Sequence, residues 1–222
     1  MFRSAVVYAR EAGIEDPLVC YQGAAVVEPA TGTFLLHEPI PLELAREAIE
    51  AIEAEGFALN CYVDDELYVA EVTENVRSYA GFQNLPVTEV GDLLGWLERP
   101  PTKLVVVDEP EALDALKSRL LERFGERLFI AKSLPHFLEL ASRWISKGSG
   151  LAFVAEHLGF EAEHTVGIGD GENDLELLEW AGFGIAVENA DDGLKERADW
   201  VCPSVDEDGV AQVLEAYLDS RA

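Results

Sequence analysis

The segment TVGIGDGENDLELL, which begins at Thr165, constrains this chain more than any other. Its first four residues form an apolar run that predicts a short buried strand, and from Leu175 onward the apolar residues recur at helical spacing. A Gly-rich acidic loop therefore lies between a strand and a helix. Open α/β folds bind ligands at the carboxyl ends of their strands, so we expect Asp170, Asn173 and Asp174 to lie at such an edge.

Asp170 and Asp174 are close enough in the sequence for their carboxylates to converge on one point. A hard cation bound through oxygen would relieve their mutual repulsion, and Mg²⁺ is the cation we expect. Asn173 is expected to hold the loop through side-chain hydrogen bonds to the backbone. A purely structural interpretation stays open, in which Asp170 occupies a turn and Asn173 or Asp174 is a helix N-cap.

Two other ligand-binding loops do not fit this segment. An EF-hand requires Gly at its sixth position and Glu at its twelfth, and counting from Asp170 these positions hold Leu175 and Ala181. A dinucleotide-binding loop requires G-x-G-x-x-G, and the glycines of GIGDG do not have this spacing. Asp170 would also repel a pyrophosphate.

A second candidate site begins at Ser146-Lys147-Gly148, which opens a helix. Ser146 is the predicted N-cap, and Lys147 lies at the positive end of the helix dipole. Acidic residues are the usual choice in a first turn, so a lysine there breaks a local preference, and such exceptions tend to mark functional sites. The sequence thus indicates an anion site, with an ordinary surface lysine as the alternative.

Composition narrows the possible partners. The 222-residue chain has a formal net charge of -27 and only 16 Lys and Arg residues, which argues against nucleic acid and anionic membranes. We find no run approaching the roughly 18 apolar residues of a membrane span. The odd number and wide spacing of the cysteines predict reduced, buried thiols in a cytoplasmic protein, and no disulfide or zinc site: Cys20, Cys61 and Cys202. Oligomeric state is not indicated.

Taken in order, several motifs resemble the haloacid dehalogenase (HAD) superfamily, and more closely its Cof-type (subclass IIB) phosphatases. They are SKG before a helix, GDGENDLELL after a strand, FGIAVENA, and the tail KERADWVCPSVDEDGVAQVL. The resemblance begins at RSAVVYAREAGIEDPLVCYQGA and covers nearly the whole chain. It implies an α/β fold: a Rossmann-like core with a mostly parallel sheet, and an inserted α/β cap domain.

The resemblance also implies an activity, which is Mg²⁺-dependent hydrolysis of a small phosphorylated metabolite through an aspartyl-phosphate. Asp170 and Asp174 would hold the Mg²⁺, Asp170 more directly, and Lys147 would neutralise the phosphate. Three residues are expected to support the phosphate or the loops: Asn173, Asn189, and Gln22, which stands in CYQGA where the family has Asn. The substrate class covers sugar phosphates, nucleotides and cofactor phosphates.

By the same resemblance, residues 1–37 and 135–222 are expected to form the core, and residues 38–134 the cap. The cap of such enzymes selects the substrate and excludes water. The sequence DDE at 64–66 could contact a polar substrate, but we favour an exposed hairpin turn.

The family's nucleophile motif, D-x-D-G-T, has no match in this sequence, and the first two core strands are expected to be missing. DEDG at 206–209 has similar letters, but Asp206 or Asp208 is predicted to be the N-cap of the last helix. We therefore expect the natural protein to start upstream of Met1, which the preceding genomic codons would test. The alternative is a catalytically inactive, truncated homologue that serves as a binding or regulatory module. A phosphonatase or phosphomutase of the same superfamily is less favoured.

Overall fold

The computed structural model describes residues 1–220, so the last two residues of the expected core lie outside the described part of the chain. Two compact units are present, Met1–Ile145 and a second that begins at Ser146. The first unit contains α1 (Phe2–Glu11), β1 (Leu18–Cys20), β2 (Ala25–Val27), β3 (Phe34–His37), α2 (Leu42–Ala54), β4 (Leu59–Val63), β5 (Glu66–Val69), α3 (Glu74–Gln83), β6 (Val87–Glu89), α4 (Leu93–Trp96), β7 (Lys103–Val107), α5 (Pro110–Phe124), β8 (Leu128–Leu134) and β9 (Phe137–Ser142).

Two sheets organise the first unit. β1, β2 and β3 form an antiparallel sheet, in which β2 and β3 are a hairpin. The larger sheet has the order β6-β5-β4-β7-β9-β8 and is antiparallel except between β5 and β6. One hydrophobic core joins this sheet to α2, α4 and α5, and includes Ile49, Leu104 and Leu113. A second core includes Tyr62 and Tyr79 and joins the sheet to α3.

The domain boundary predicted after residue 134 does not coincide with the division between the two compact units. It falls inside the hairpin of β8 and β9, and β9 also pairs with β7. Along the chain, the division between the two compact units falls after Ile145. The physical reason is burial, because Leu138 and Leu140 of β9 are fully buried in the same core as Leu104 of β7. The functional division into core and cap stays a prediction.

The acidic turn of residues 64–66 is the β4–β5 hairpin, as favoured, but it is not wholly exposed. Asp65 is buried, and its carboxylate accepts the backbone N–H groups of Phe2 and Arg3, each at 3.0 Å. The same carboxylate accepts the hydroxyl of Tyr21 at 2.5 Å. Asp65 therefore caps the first turn of α1, a contact between residues far apart in the sequence that local patterns do not reveal.

The second unit contains α6 (Lys147–Leu158), β10 (Val166–Gly169), α7 (Leu175–Trp180), β11 (Phe183–Val187), α8 (Asp192–Lys195), β12 (Trp200–Cys202) and α9 (Gly209–Asp219). Its three strands form a parallel sheet in the order β10-β11-β12. Leu178, Ile185 and Leu194 lie in its core. Since parallel strands end at the same edge, the loops after β10 and β11 meet there, where α/β proteins bind ligands.

The start of α6 is fixed by a reciprocal pair of hydrogen bonds. The Ser146 side chain accepts the backbone N–H of Ser149 at 3.0 Å, and the Ser149 side chain accepts that of Ser146 at 2.8 Å. The helix ends at Gly159, which has the left-handed φ of 77°. The predicted N-cap is confirmed, and Lys147 is the first residue of the helix.

Gly148 lets α6 and α7 approach each other closely. A Cβ at this position would lie 2.2 Å from the backbone oxygen of Glu176, so the helices would have to separate. We expect Gly148→Ala to lower the free energy of unfolding by about 1–3 kcal/mol, measured by urea denaturation. Gly193→Ala is the control, because a Cβ there meets no atom within 4 Å. Equal denaturation midpoints for wild type and Gly148→Ala would contradict this prediction.

The remaining expectations about the whole chain concern cysteines and membranes. Cys20, Cys61 and Cys202 are unpaired and buried, which confirms their predicted burial, and their reduced state stays a prediction. Within residues 1–220, we find no helix with the length and apolar character needed to cross a bilayer.

Candidate functional site

The acidic loop is organised around the buried carboxylate of Asp174. Its Oδ2 atom accepts the backbone N–H of Asp170 at 3.1 Å and that of Gly171 at 3.2 Å. Asp174 also occupies the N-cap position of α7, yet its side chain makes no capping bond to that helix. The carboxylate therefore closes the loop and does not cap the helix.

Gly169, the last residue of β10, makes room for this arrangement. A Cβ there would lie 2.4 Å from the Cβ of Asp174. The glycine before Asp170 is thus required by the close approach of the Asp174 side chain to the end of the strand.

Lys147 completes the cluster from the first turn of α6. Its Nζ atom donates a hydrogen bond to Oδ1 of Asp174 at 2.5 Å. The Lys147 side chain is one-third exposed, whereas that of Asp174 is 4% exposed. An ammonium group has three N–H donors, so Lys147 can neutralise Asp174 and still donate to an anion. The positive end of the α6 dipole favours the same anion.

The carboxyl group of Asp170 has a raised pKa. Partial removal from water raises the pKa of its carboxyl group, and the charge and hydrogen bonding of Asp174 raise it further, while Lys147 opposes the shift. A divalent cation beside the two carboxylates would relieve this repulsion. Mg²⁺ commonly binds through one or two carboxylates and completes its shell with waters and phosphate oxygens, so the donor set fits it. Among residues 1–220, no cluster of three or more His, Cys, Asp or Glu is placed to hold a metal.

The predicted supporting residues lie in different places. Asn189 follows β11, and its Oδ1 accepts the backbone N–H of Val205 at 2.9 Å. It lines a cavity of about 240 Å³ together with Asp170. The amide oxygen of Asn173 lies close to Gly171, within the acidic loop. These residues belong to the second unit, as do Lys147 and Asp174.

Gln22 lies in the first unit. It adopts a left-handed conformation with φ of 59°. Its side-chain nitrogen donates to Oε2 of Glu139 at 2.8 Å. Its observed contact is therefore within the first unit, and its phosphate-side role stays a prediction.

Sequence reasoning missed Asp191, which braces the acidic loop from the end of the next strand. Its backbone N–H donates to the carbonyl oxygen of Asp170 at 3.0 Å, and its Oδ2 accepts the backbone N–H of Glu172 at 3.1 Å. The sequence feature that could have identified Asp191 is its position directly after Asn189-Ala190. By contrast, Asp208 occupies the predicted N-cap position of α9, without a side-chain capping bond.

The parallel strands, the acidic loop at their carboxyl edge and the lysine at the start of α6 define an α/β protein with one lysine bonded to a buried carboxylate at the candidate site. A family model described as haloacid dehalogenase-like hydrolase matches residues 1–214. The chain belongs to this family, and the resemblance found in the sequence is confirmed.

Three relatives show how far the similarity extends. The chain is 28% identical to the 5-amino-6-(5-phospho-D-ribitylamino)uracil phosphatase YitU of Bacillus subtilis, over 98% of this chain and 82% of that protein. It is 44% identical to a phosphoglycolate phosphatase of Archaeoglobus fulgidus, over 44% of this chain and 42% of that protein. The crystal structure of TM0651 from Thermotoga maritima matches with a TM-score of 0.81 and 35% identity, over 97% of this chain and 81% of that one.

Proposed function

We propose that this chain acts as a Mg²⁺-dependent phosphatase that hydrolyses a small phosphorylated metabolite. The observation that carries the proposal is the cluster of Lys147, Asp170 and Asp174, in which a lysine at a helix N-terminus is bonded to one of two adjoining carboxylates. The relatives support the same reaction, because their names describe phosphatases of two different small phosphate esters. Because the two relatives are named for different substrates, we propose only a substrate class for this chain: a sugar phosphate, a nucleotide or a cofactor phosphate.

The acidic and the basic residues of the site have different proposed roles. Asp170 and Asp174 would hold the Mg²⁺, which when bound neutralises phosphoryl oxygens and polarises the ester. Lys147 would donate to the phosphate with the N–H groups that it does not give to Asp174. Asn173 and Asn189 would hold the loops around these groups, and the bond from the Val205 N–H to Asn189 supports this role for Asn189. The proposed reaction passes through an aspartyl-phosphate, and no residue of this chain is assigned as its nucleophile.

One sequence observation favours a second candidate function. The chain has no D-x-D-G-T motif, so it could bind a cation and a phosphorylated ligand without turning it over. In that case the protein is a binding or regulatory module. The cytoplasmic location predicted for either function is supported by the three free cysteines.

The test is hydrolysis of an aryl phosphate by the chain, with and without Mg²⁺, compared with Asp170→Asn. We expect Mg²⁺-dependent turnover that falls by about 10- to 100-fold in the variant, because one metal ligand loses its charge. Glu215→Gln is the matched control, since Glu215 is an exposed carboxylate of α9 outside the site. Turnover equal in wild type and Asp170→Asn would contradict the proposed site. Mg²⁺ binding without turnover would support the binding module.

The raised pKa of Asp170 predicts that Asp170→Asn increases the stability of the fold, although the same variant lowers turnover. The folded chain holds the Asp170 proton more tightly than the unfolded chain does, so stability falls as the pH rises above the unfolded pKa, and the loss is complete above the folded pKa. Asp170→Asn should therefore unfold at a higher urea concentration than wild type at neutral pH, and the difference should shrink in acid. For the same reason, protons should compete with Mg²⁺ at a higher pH than they would at a carboxyl group with an unshifted pKa.

A further inference from the structure

The first unit contains a cavity of about 410 Å³ between α3, the end of β7 and the turn that joins β8 to β9. Tyrosine and phenylalanine rings line part of this cavity. The rings of Tyr79 and Phe137 meet edge to face with centroids 5.0 Å apart, and those of Phe82 and Phe137 do so at 5.8 Å. Phe82 is 67% exposed, although phenylalanine is usually buried. Small-molecule sites have volumes of about 300–1,000 Å³, so the cavity is large enough for a ligand.

The polar rim of this cavity consists mainly of hydrogen-bond acceptors. Asp108 and Glu109 are the acidic residues that line it, and Oδ1 of Asp108 accepts the backbone N–H of Glu109 at 2.8 Å. Asn75 donates one amide N–H to the Val107 carbonyl oxygen at 3.2 Å, which leaves it a second N–H donor and an oxygen acceptor. His136 places Nδ1 3.1 Å from the Asp108 carbonyl oxygen. Since a carbonyl only accepts, Nδ1 donates and Nε2 is the acceptor of the neutral ring.

This combination selects the charge of a ligand. Aromatic faces attract cations through their quadrupole, and carboxylates at the rim add to that attraction. Of the described residues that line the cavity, Ser78 and Tyr79 carry side-chain hydroxyl groups, and none is lysine or arginine. An anion would meet two like charges, and a neutral apolar molecule would leave the acceptors without donors.

We propose that the cavity binds a small organic ammonium. Its charge would face Asp108 and Glu109, and its apolar part would lie against Phe82 and Phe137. The proposal concerns the first unit alone. It is independent of the phosphatase reaction, because its test measures binding and not turnover.

The test is a calorimetric titration of the full chain with 2-phenylethylammonium at moderate salt. A nine-atom ligand of ordinary efficiency would give a dissociation constant of about 1 mM. Phe82→Ala and Asp108→Asn should each weaken binding by about fivefold, because one removes a ring face and the other a charge. Glu122→Gln, an exposed carboxylate on α5 outside the cavity, is the charge-matched control and should bind as wild type does. Far-ultraviolet circular dichroism checks that the variants are folded.

A neutral isostere tests the role of the charge. 2-Phenylethanol should bind at least about fivefold more weakly than the ammonium. The proposal is overturned if the alcohol binds equally well, or if the ammonium shows no binding at several times the expected dissociation constant. It is also overturned if folded Phe82→Ala and Asp108→Asn retain wild-type affinity, or if Glu122→Gln weakens binding as much as Asp108→Asn.

Discussion

Replacing Asp174 by alanine is expected to remove Mg²⁺-dependent hydrolysis, with kcat/KM reduced by about 1,000-fold or more. One carboxylate serves three partners, which are the Lys147 ammonium and the backbone amides of Asp170 and Gly171. Its loss would remove a proposed metal ligand, release Lys147 and open the loop together. The free energy of unfolding should also fall by about 2–3 kcal/mol, less than for a fully buried pair because Lys147 is partly exposed.

Asp174→Asn separates these effects. It keeps an oxygen acceptor for the two loop amides, so it should unfold closer to wild type than Asp174→Ala does. It loses the charge that faces Lys147 and the cation, so its kcat/KM should still be strongly reduced. Urea denaturation and steady-state kinetics of the three proteins provide the measurements. An Asp174→Ala chain that retained Mg²⁺-dependent turnover would show that the metal site lies elsewhere.

Replacing Glu139 by alanine is expected to lower the free energy of unfolding by about 3–5 kcal/mol, the largest stability effect we expect. Glu139 and Lys103 form a buried ion pair at 3.0 Å, with side chains 7% and 5% exposed. Gln22 and Ser133 donate two further hydrogen bonds to Glu139, each at 2.8 Å. Without Glu139, the Lys103 ammonium stays buried beside Tyr62, where an aromatic face compensates only part of the lost charge.

The pH dependence of this effect follows from the lowered pKa of Glu139. Burial alone would raise the pKa of Glu139, but the charge of Lys103 and three hydrogen bonds lower it overall. A carboxyl with a lowered folded pKa stabilises the fold above its unfolded pKa and loses that contribution as the pH falls through the folded pKa. The difference between wild type and Glu139→Ala should therefore narrow in strong acid.

The double variant Lys103→Met/Glu139→Leu is the control for Glu139→Ala. It removes both charges and keeps similar volume, so it should recover most of the lost stability. Thermal and urea unfolding followed by circular dichroism would measure all three proteins. A Glu139→Ala chain as stable as wild type would mean that water or a rearranged side chain solvates Lys103.

Most elements and the members of the candidate site were predictable because their signals are local. Ser146 predicted the start of α6 through its capping hydrogen bond, and the apolar run before Asp170 predicted β10. Strand, loop and helix in that order placed Asp170 and Asp174 at the carboxyl edge of a parallel sheet, and the family followed from the ordered motifs. The predictions of helix starts and strands depend on residues within about one turn or one strand of each other, and the family depends on the order of such motifs along the chain.

The roles within the site needed the tertiary structure. Local sequence could not reveal that Asp174 accepts from Lys147, that Asp191 braces the loop, or that Asp65 caps α1. It also placed the end of the expected cap inside the hairpin of β8 and β9. The sequence alone determined the elements, their order and the charged residues at the strand ends. The pairing of β9 with β7 and the partners of each buried carboxylate were decided only by the fold, because burial and hydrogen bonding between distant segments depend on which surfaces meet.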